Sequence, residues 1–317
     1  MPFDHDELSA NANGGTELMG RGLAKHLPAS YLDKVHIIRS RVRHISPTLP
    51  NILWLHDLPE DPESRRLADP EYRKQFAKLV FVSNWQQRRY NEVLGVPFHE
   101  GVVIRNAIEY VDLVEDKPAP SQELRLIYHT TPHRGLELLA PMMDALLEDF
   151  PNANIRLDVF SSFGIYGWED RDKPYEPLFD RLRAHPWITY HGWKPNDVVH
   201  EYLKQAHAFV YPSIWQETSC IAAIEAMAYG CRVLTTTLGA LPETLEVDPI
   251  SHSAMTRYSR DMQELADDFY HSLHRYVDQM VNSTGTCRAF RSMNVMHRHA
   301  WPTVAEQWKR LIADVTR

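Results

Sequence analysis

The chain has 317 residues, 44% of them hydrophobic and 24% charged, enough to bury a core in each of two medium domains. Its formal net charge of −8 excludes a dedicated nucleic-acid binder, whose affinity rests on a basic face. No run reaches the roughly 18 apolar residues that span a bilayer, and Cys220, Cys231 and Cys287 have neither zinc-ligand spacing nor an even count. Sparse cysteine and a polar, acidic Met1–Asn13 stretch unlike a signal peptide set the expectation of a soluble cytoplasmic protein.

In chain order, Asn13-Gly14-Gly15-Thr16-Glu17 followed by Leu18, Leu23, Ala24 and Leu27 reads as a glycine turn opening an amphipathic helix, stopped by Pro28. Strand-length apolar runs follow at 35–38, 51–55, 79–82 and 102–104, with helical stretches at 70–76 and 84–94. A polar, proline-bearing linker spans Glu109 to Gln122 and includes Glu115-Asp116. The alternation then restarts. Strands are expected at 124–128, 155–160, 188–191, 208–211 and 232–236, with helices at 135–150, up to Ala184, 197–205 and 219–229, and helices to the end. A long aromatic-rich loop covers 161–177. Strands alternating with helices imply parallel sheets covered on both faces, here two consecutive Rossmann-like halves.

The most informative segment runs from Tyr211-Pro212-Ser213-Ile214-Trp215-Gln216-Glu217 through Thr218, Ser219 and Cys220 to Glu225 and Gly230. A strand ends, a polar turn carries Glu217, Thr218 or Ser219 caps a helix, and Gly230 stops it. Eight helical residues advance about 12 Å and return to within about 80° of the starting direction. Glu217 and Glu225 can therefore address two portions of one elongated ligand, with first-turn amides facing an anionic middle. The bland alternative is a salt-bridged Glu225 and a solvated Glu217.

This segment resembles the double-glutamate motif of retaining glycosyltransferase family 4, a group 1 family with the GT-B fold. Further landmarks fit in order along nearly the whole chain: Trp54-Leu55-His56-Asp57, Val82-Ser83-Asn84-Trp85, Val103-Ile104-Arg105-Asn106-Ala107-Ile108, His133-Arg134-Gly135-Leu136-Glu137, Tyr190-His191-Gly192-Trp193 and Gly239-Ala240-Leu241-Pro242-Glu243. Ala300-Trp301 and Ala305-Glu306-Gln307-Trp308 are similar to the family's closing helix. The resemblance implies an α/β fold of two Rossmann-like domains facing a central cleft, with a shortened N-terminal domain. Residues 1–115 would form the acceptor domain, 116–300 the donor domain, and 301–317 a helix packing back toward the N-terminal domain.

The resemblance also implies roles. Glu225 would accept hydrogen bonds from the donor ribose, and Glu217 would lie by the transferred sugar. Backbone amides of Ser219, Cys220 and Ile221 would hold the sugar and diphosphate, and Arg134 would bind the diphosphate in place of a metal. Gly14 and Gly15 would let backbone approach the phosphates, Trp193 would meet the nucleobase, and His56 would bond the sugar or acceptor. For Trp193 core packing is the alternative, for His56 a structural role, and for Arg134 a surface ion pair. The expected reaction is retaining, metal-independent transfer from a UDP- or GDP-sugar to a hydroxyl of a glycan, glycoprotein or lipid, with no cofactor. Glu60-Asp61 and Glu169-Asp170-Arg171-Asp172 read as loop charge rather than a metal site.

Three departures stand out. No apolar run in Met1–Asn13 supplies the family's opening strand; His129 stands where relatives carry an arginine, with Thr130 beside it; and Asn106-Ala107 replaces Asn-Gly. His129 would help bind the donor, protonated by the phosphates or supplemented by threonine hydroxyls. The early cations Arg21, Lys25, Lys34, Arg39, Arg41 and Arg43 read either as a solvated face or as a weak peripheral contact with an anionic lipid or glycan surface. Competing functions are a nucleotide-sugar epimerase or phosphorylase of the same fold, and a degenerate nucleotide-sugar-binding module. A nicotinamide dehydrogenase lacks its Gly-x-Gly-x-x-Gly fingerprint.

Overall fold

The computed structural model describes residues 14–112, 117–283 and 288–317, with side chains except at 288–291. Met1–Asn13, where no opening strand is read, Glu115-Asp116 with the 115/116 boundary, and Cys287 fall outside the described residues. Two compact units emerge: Met1–Tyr110 with Thr218–Ile221 and His297–Arg317, and Val111–Glu217 with Ala222–Met296.

The first unit is built on a parallel sheet in the order β1 (His36–Arg39), β2 (Asn51–Leu55), β3 (Lys78–Phe81) and β4 (Gly101–Val103). Alternation along β2 divides its core. Ile52 and Trp54 join Met19, Leu23, Val80, Trp301 and Trp308 in one cluster, whereas Leu53 and Leu55 join Leu79, Phe81 and Tyr90 in the other. Helices Gly15–His26 and Trp301–Val315 contribute to the first of these clusters. Their approach is close enough that a Cβ on Gly22 would stand 2.0 Å from the Trp301 ring. Helix Asn84–Leu94 starts on the Ser83 side chain, which accepts from Gln86 N, and ends at Gly95 with φ 67°.

The second unit holds a five-stranded parallel sheet, with β5 (Leu124–Tyr128), β6 (Ile155–Val159), β7 (Ile188–Tyr190), β8 (Ala208–Tyr211) and β9 (Arg232–Thr235) in the order β7-β6-β5-β8-β9. Winding proceeds outward from β5 to β7, then returns to β8 on the other side of β5. That reversal is the topological switch point, where open α/β sheets form a crevice beyond the strand carboxyl ends.

Three local expectations are corrected. Residues 135–150 do not form one helix: Gly135 takes φ 114°, outside any right-handed helix, and a 3-10 turn, Leu136–Leu138, precedes helix Leu139–Asp149. The aromatic stretch 161–177 contains 3-10 turns Phe163–Tyr166 and Glu169–Tyr175. Asp172 pins it by accepting from Phe163 N at 2.8 Å. The helix expected from Ser219 begins at Ile221, because Cys220 sits at φ 69°, and Thr218 directs its hydroxyl to His56 O rather than capping.

Candidate functional site

The switch-point loops of the second unit converge on one carboxylate. After β5 the chain runs through His129 and Thr130 into the short turn Pro132–Arg134. After β8 it runs through Pro212 to Glu217. The two loops touch because Gly135 has no side chain: a Cβ there would stand 2.1 Å from Pro212 O. Ile214 N donates to Arg134 O at 3.3 Å. The loop after β9 closes the third side. Gly239, at φ 67°, leaves room for the Glu217 backbone, and Ala240 N donates to Glu217 O at 2.8 Å.

Held this way, Glu217 is buried and doubly bonded. Arg134 Nη1 and Tyr211 Oη each donate to its Oε1 at 2.6 Å. The Glu217 side chain is 8% exposed and that of Arg134 20%, so the ion pair forms largely out of water. A charge-assisted bond in that setting is short and strong, and loss of either partner would strand a buried charge. The solvated-loop alternative for Glu217 is therefore excluded. Tyr211 carries no signal in the sequence beyond a polar aromatic at a strand end.

Glu225 projects from helix Ile221–Ala228, and its Oε1 lies 3.1 Å from His200 Nε2 and 3.5 Å from Asn196 Nδ2 on helix Asn196–Leu203. His200 escapes sequence reasoning because 25 residues of sequence carry no local hint of the pairing. His129 is held down to about pKa 4 by burial, against the opposing pull of the Glu225 charge. Its Nε2 is buried without a hydrogen bond among the described residues. Burial thus favours a neutral His129 at neutral pH, and Thr130 is half-buried beside it. Trp193 is 37% exposed, which rules out core packing. His191, two residues earlier, pairs with Asp158 at 2.7 Å.

The first unit gathers its own group. Gly14 has an extended backbone, and Gly15 starts the following helix. A Cβ on Gly15 would approach Ile221 Cδ1 to 3.1 Å. Thr218 Oγ1 donates to His56 O at 2.9 Å, and Ser83 Oγ donates to Thr218 O at 2.7 Å. Ser219 and Cys220 are buried. His56 is held down to about pKa 3, by burial first and the Arg39 charge second. Its Nε2 is enclosed with no partner among the described residues. Gly14, Gly15, His56, Ser219, Cys220 and Ile221 therefore belong to the first unit, and His129, Thr130, Arg134, Trp193, Glu217 and Glu225 to the second. A cavity of about 550 Å³ in the first unit, lined by Lys78, Val103, Gln307, Arg310 and Leu311 among others, contains none of them.

The early cations are not one continuous exposed set. Arg39 is 5% exposed, and Lys25 pairs with Glu109 at 2.9 Å. No helix among the described residues is long and apolar enough to cross a membrane. Nor does any group of three or more His, Cys, Asp or Glu among those residues stand ready to hold a metal ion.

The depressed imidazoles link stability to pH. His56, His129, His133 and His299 all titrate below the ordinary value of 6.5 when folded, His299 at about 4 chiefly through burial. Between pH 4 and 6.5 the unfolded chain therefore binds more protons. Their contribution is full above pH 6.5 and is lost as pH falls through that window. For buried His299 the slope is about 1.4 kcal/mol per pH unit. Urea denaturation at neutral pH and near pH 5 should show the loss; His299→Gln with an unchanged pH slope would contradict its share.

The two parallel-sheet units have the GT-B fold, and an arginine–glutamate pair stands at the switch point of the second. Residues 125–274 match the sequence family described as Glycosyl transferases group 1, so the chain carries a group 1 glycosyltransferase segment on that fold. It is 27% identical over 149 residues to a subunit of human phosphatidylinositol N-acetylglucosaminyltransferase, covering 45% of this chain and 28% of that protein. It is 30% identical over 115 residues to Escherichia coli O-antigen chain mannosyltransferase B, covering 35% and 29%. These matches span less than a third of either relative. Among solved structures, a glycosyltransferase from Rickettsia africae ESF-5 superposes with a TM-score of 0.67 over 98% of this chain and 84% of that one, at 12% identity. That likeness is one of fold.

Proposed function

We infer that the chain is a retaining, metal-independent glycosyltransferase that takes a UDP- or GDP-sugar and glycosylates a hydroxyl of a glycan, glycoprotein or lipid. The observation that carries this reading is the Arg134–Glu217–Tyr211 cluster at the switch point of the group 1 segment. The relatives' names, an N-acetylglucosaminyltransferase and a mannosyltransferase, support sugar transfer and leave the sugar open.

In this reading Glu225, steadied by His200, accepts the ribose hydroxyls. Arg134 faces the diphosphate. A guanidinium has five donors in a fixed fork, so a bond to Glu217 and a bidentate phosphate contact are compatible. Departure of the nucleoside diphosphate leaves positive charge at the anomeric carbon, and Glu217 supplies negative charge and a hydroxyl acceptor beside it. The acceptor oxygen attacks from the face the diphosphate leaves, and its proton passes to a leaving phosphate oxygen, so the configuration is kept. Arg134 carries the developing phosphate charge.

The test is incubation of UDP-glucose, UDP-N-acetylglucosamine and GDP-mannose with a glycan and lipid acceptor mixture in excess chelator. Release of UDP or GDP with a glycosylated product retaining the donor's anomeric configuration is expected. An epimerised nucleotide sugar without transfer would favour the epimerase alternative. Glu225→Ala should weaken free-nucleotide binding about 10- to 100-fold, the worth of charge-assisted hydrogen bonds. Equal affinity in titration calorimetry would remove Glu225 from the ribose.

A further inference from the structure

Trp215 is the largest exposed side chain of the loop that carries Glu217, and its backbone is tightly built. The indole is 42% exposed, whereas Ser213 is fully buried and Glu217 nearly so. Ser213 Oγ donates to Trp215 O at 3.0 Å, and Thr236 Oγ1 donates to Ser213 O at 2.8 Å. His133 backs the indole edge-on, centroids 4.8 Å apart at 85°, and is itself stacked on Phe163 at 5.2 Å. The Arg134 guanidinium carbon lies 5.9 Å from the Trp215 ring centre, and the same guanidinium bonds Glu217.

The indole thus offers exposed aromatic surface close to a buried carboxylate and to the guanidinium that lies over its ring. A ligand matching that arrangement has one apolar face and a rim of hydrogen-bonding groups. A pyranose ring fits: its C–H face is apolar, and its hydroxyls both donate, as Glu217 requires, and accept, as Arg134 requires. A nucleobase offers a flat face but no comparable ring of hydroxyl donors. An aliphatic chain would leave the charged pair without a partner.

We propose that Trp215 is the stacking wall of a pyranose subsite, holding the ring's C–H face while its hydroxyls reach Glu217 and Arg134. The proposal deepens the donor reading above and rests on it. The ring belongs to the transferred sugar of the donor or to the terminal sugar of the acceptor; the recognition chemistry is the same.

The experiment compares Trp215→Ala and Trp215→Phe with the wild type, both surface changes in a loop fixed through its backbone. Titration calorimetry with UDP, UDP-N-acetylglucosamine, GDP and GDP-mannose is followed by the acceptor KM. Trp215→Ala should weaken one sugar arm about tenfold, the scale of losing a buried aromatic contact, with free-nucleotide affinity held within about twofold. Trp215→Phe should restore most of the loss. Loss of sugar-nucleotide affinity assigns the ring to the donor; a raised acceptor KM alone assigns it to the acceptor. Unchanged sugar affinities and KM in Trp215→Ala would overturn the subsite and leave the donor reading standing. Equal losses for free and sugar nucleotides would also overturn it, since Trp215 would then serve the nucleotide. A wild-type protein binding none of the four would overturn the donor reading and the subsite together.

Discussion

Glu217→Gln is expected to lower the transfer rate by about 10²- to 10³-fold while changing nucleotide affinity only a few-fold. That is the scale seen when one preorganised electrostatic partner of a developing charge is removed. The substitution keeps the shape of the side chain and one carbonyl oxygen for Tyr211 Oη and Arg134 Nη1, both now 2.6 Å away, but removes the charge. Glu217→Ala should go further. It leaves the Arg134 guanidinium, only 20% exposed, without its carboxylate, and breaking such a pair costs about 3 kcal/mol. Initial rates, calorimetry and urea denaturation on both variants separate the two effects. A Gln variant with wild-type turnover would remove Glu217 from the reaction; an Ala variant of wild-type stability would show that Arg134 finds equivalent support elsewhere.

Gly135→Ala should be the most damaging single methyl in the second unit. Its backbone lies at φ 114°, a conformation costing a side-chain-bearing residue about 1–3 kcal/mol. The new Cβ would also stand 2.1 Å from Pro212 O, which is backbone and has no rotamer to yield. The loops after β5 and β8 must then separate, and the Arg134–Glu217 contact with them. A stability loss of at least about 3 kcal/mol is expected, with loss of nucleotide binding. Gly167→Ala is the control: its φ of 72° carries the conformational cost, but nothing lies within 4 Å of a Cβ there. If the two variants melt alike, the close approach of the loops has no energetic consequence.

Much of this architecture is legible in the residues. Near-continuous apolar runs mark β2, β3 and β8, because parallel strands buried on both faces need no polar alternation, whereas β6 alternates as Ile155-Arg156-Leu157-Asp158-Val159. Glu217 and Glu225 are visible because a carboxylate in an apolar helix and one in its entry turn are costly unless used. What escapes the sequence is tertiary. Cys220 at φ 69° moves the helix start to Ile221, and no local rule assigns that conformation to a cysteine. Tyr211 meets Glu217 through the fold of a loop and His200 meets Glu225 between two helices, at separations of 6 and 25 residues that no single helix or strand bridges. Arg39 counts as a surface cation by type, yet it ends a buried strand. The 3-10 turns of 161–177 depend on Asp172 reaching back to Phe163 N, a contact that periodicity does not encode.

Donor binding at the second unit's switch point without a metal is the proposal on which the assigned function rests. The most direct measurement is the melting temperature with UDP, GDP, ADP and their common sugars, each with and without excess chelator. A ligand at 100 times its dissociation constant should add about 2.7 kcal/mol. A shift with one nucleotide series, undiminished by chelator and much reduced in Glu225→Ala, is the predicted result. No shift with any nucleotide, or a shift abolished by chelator, would contradict it.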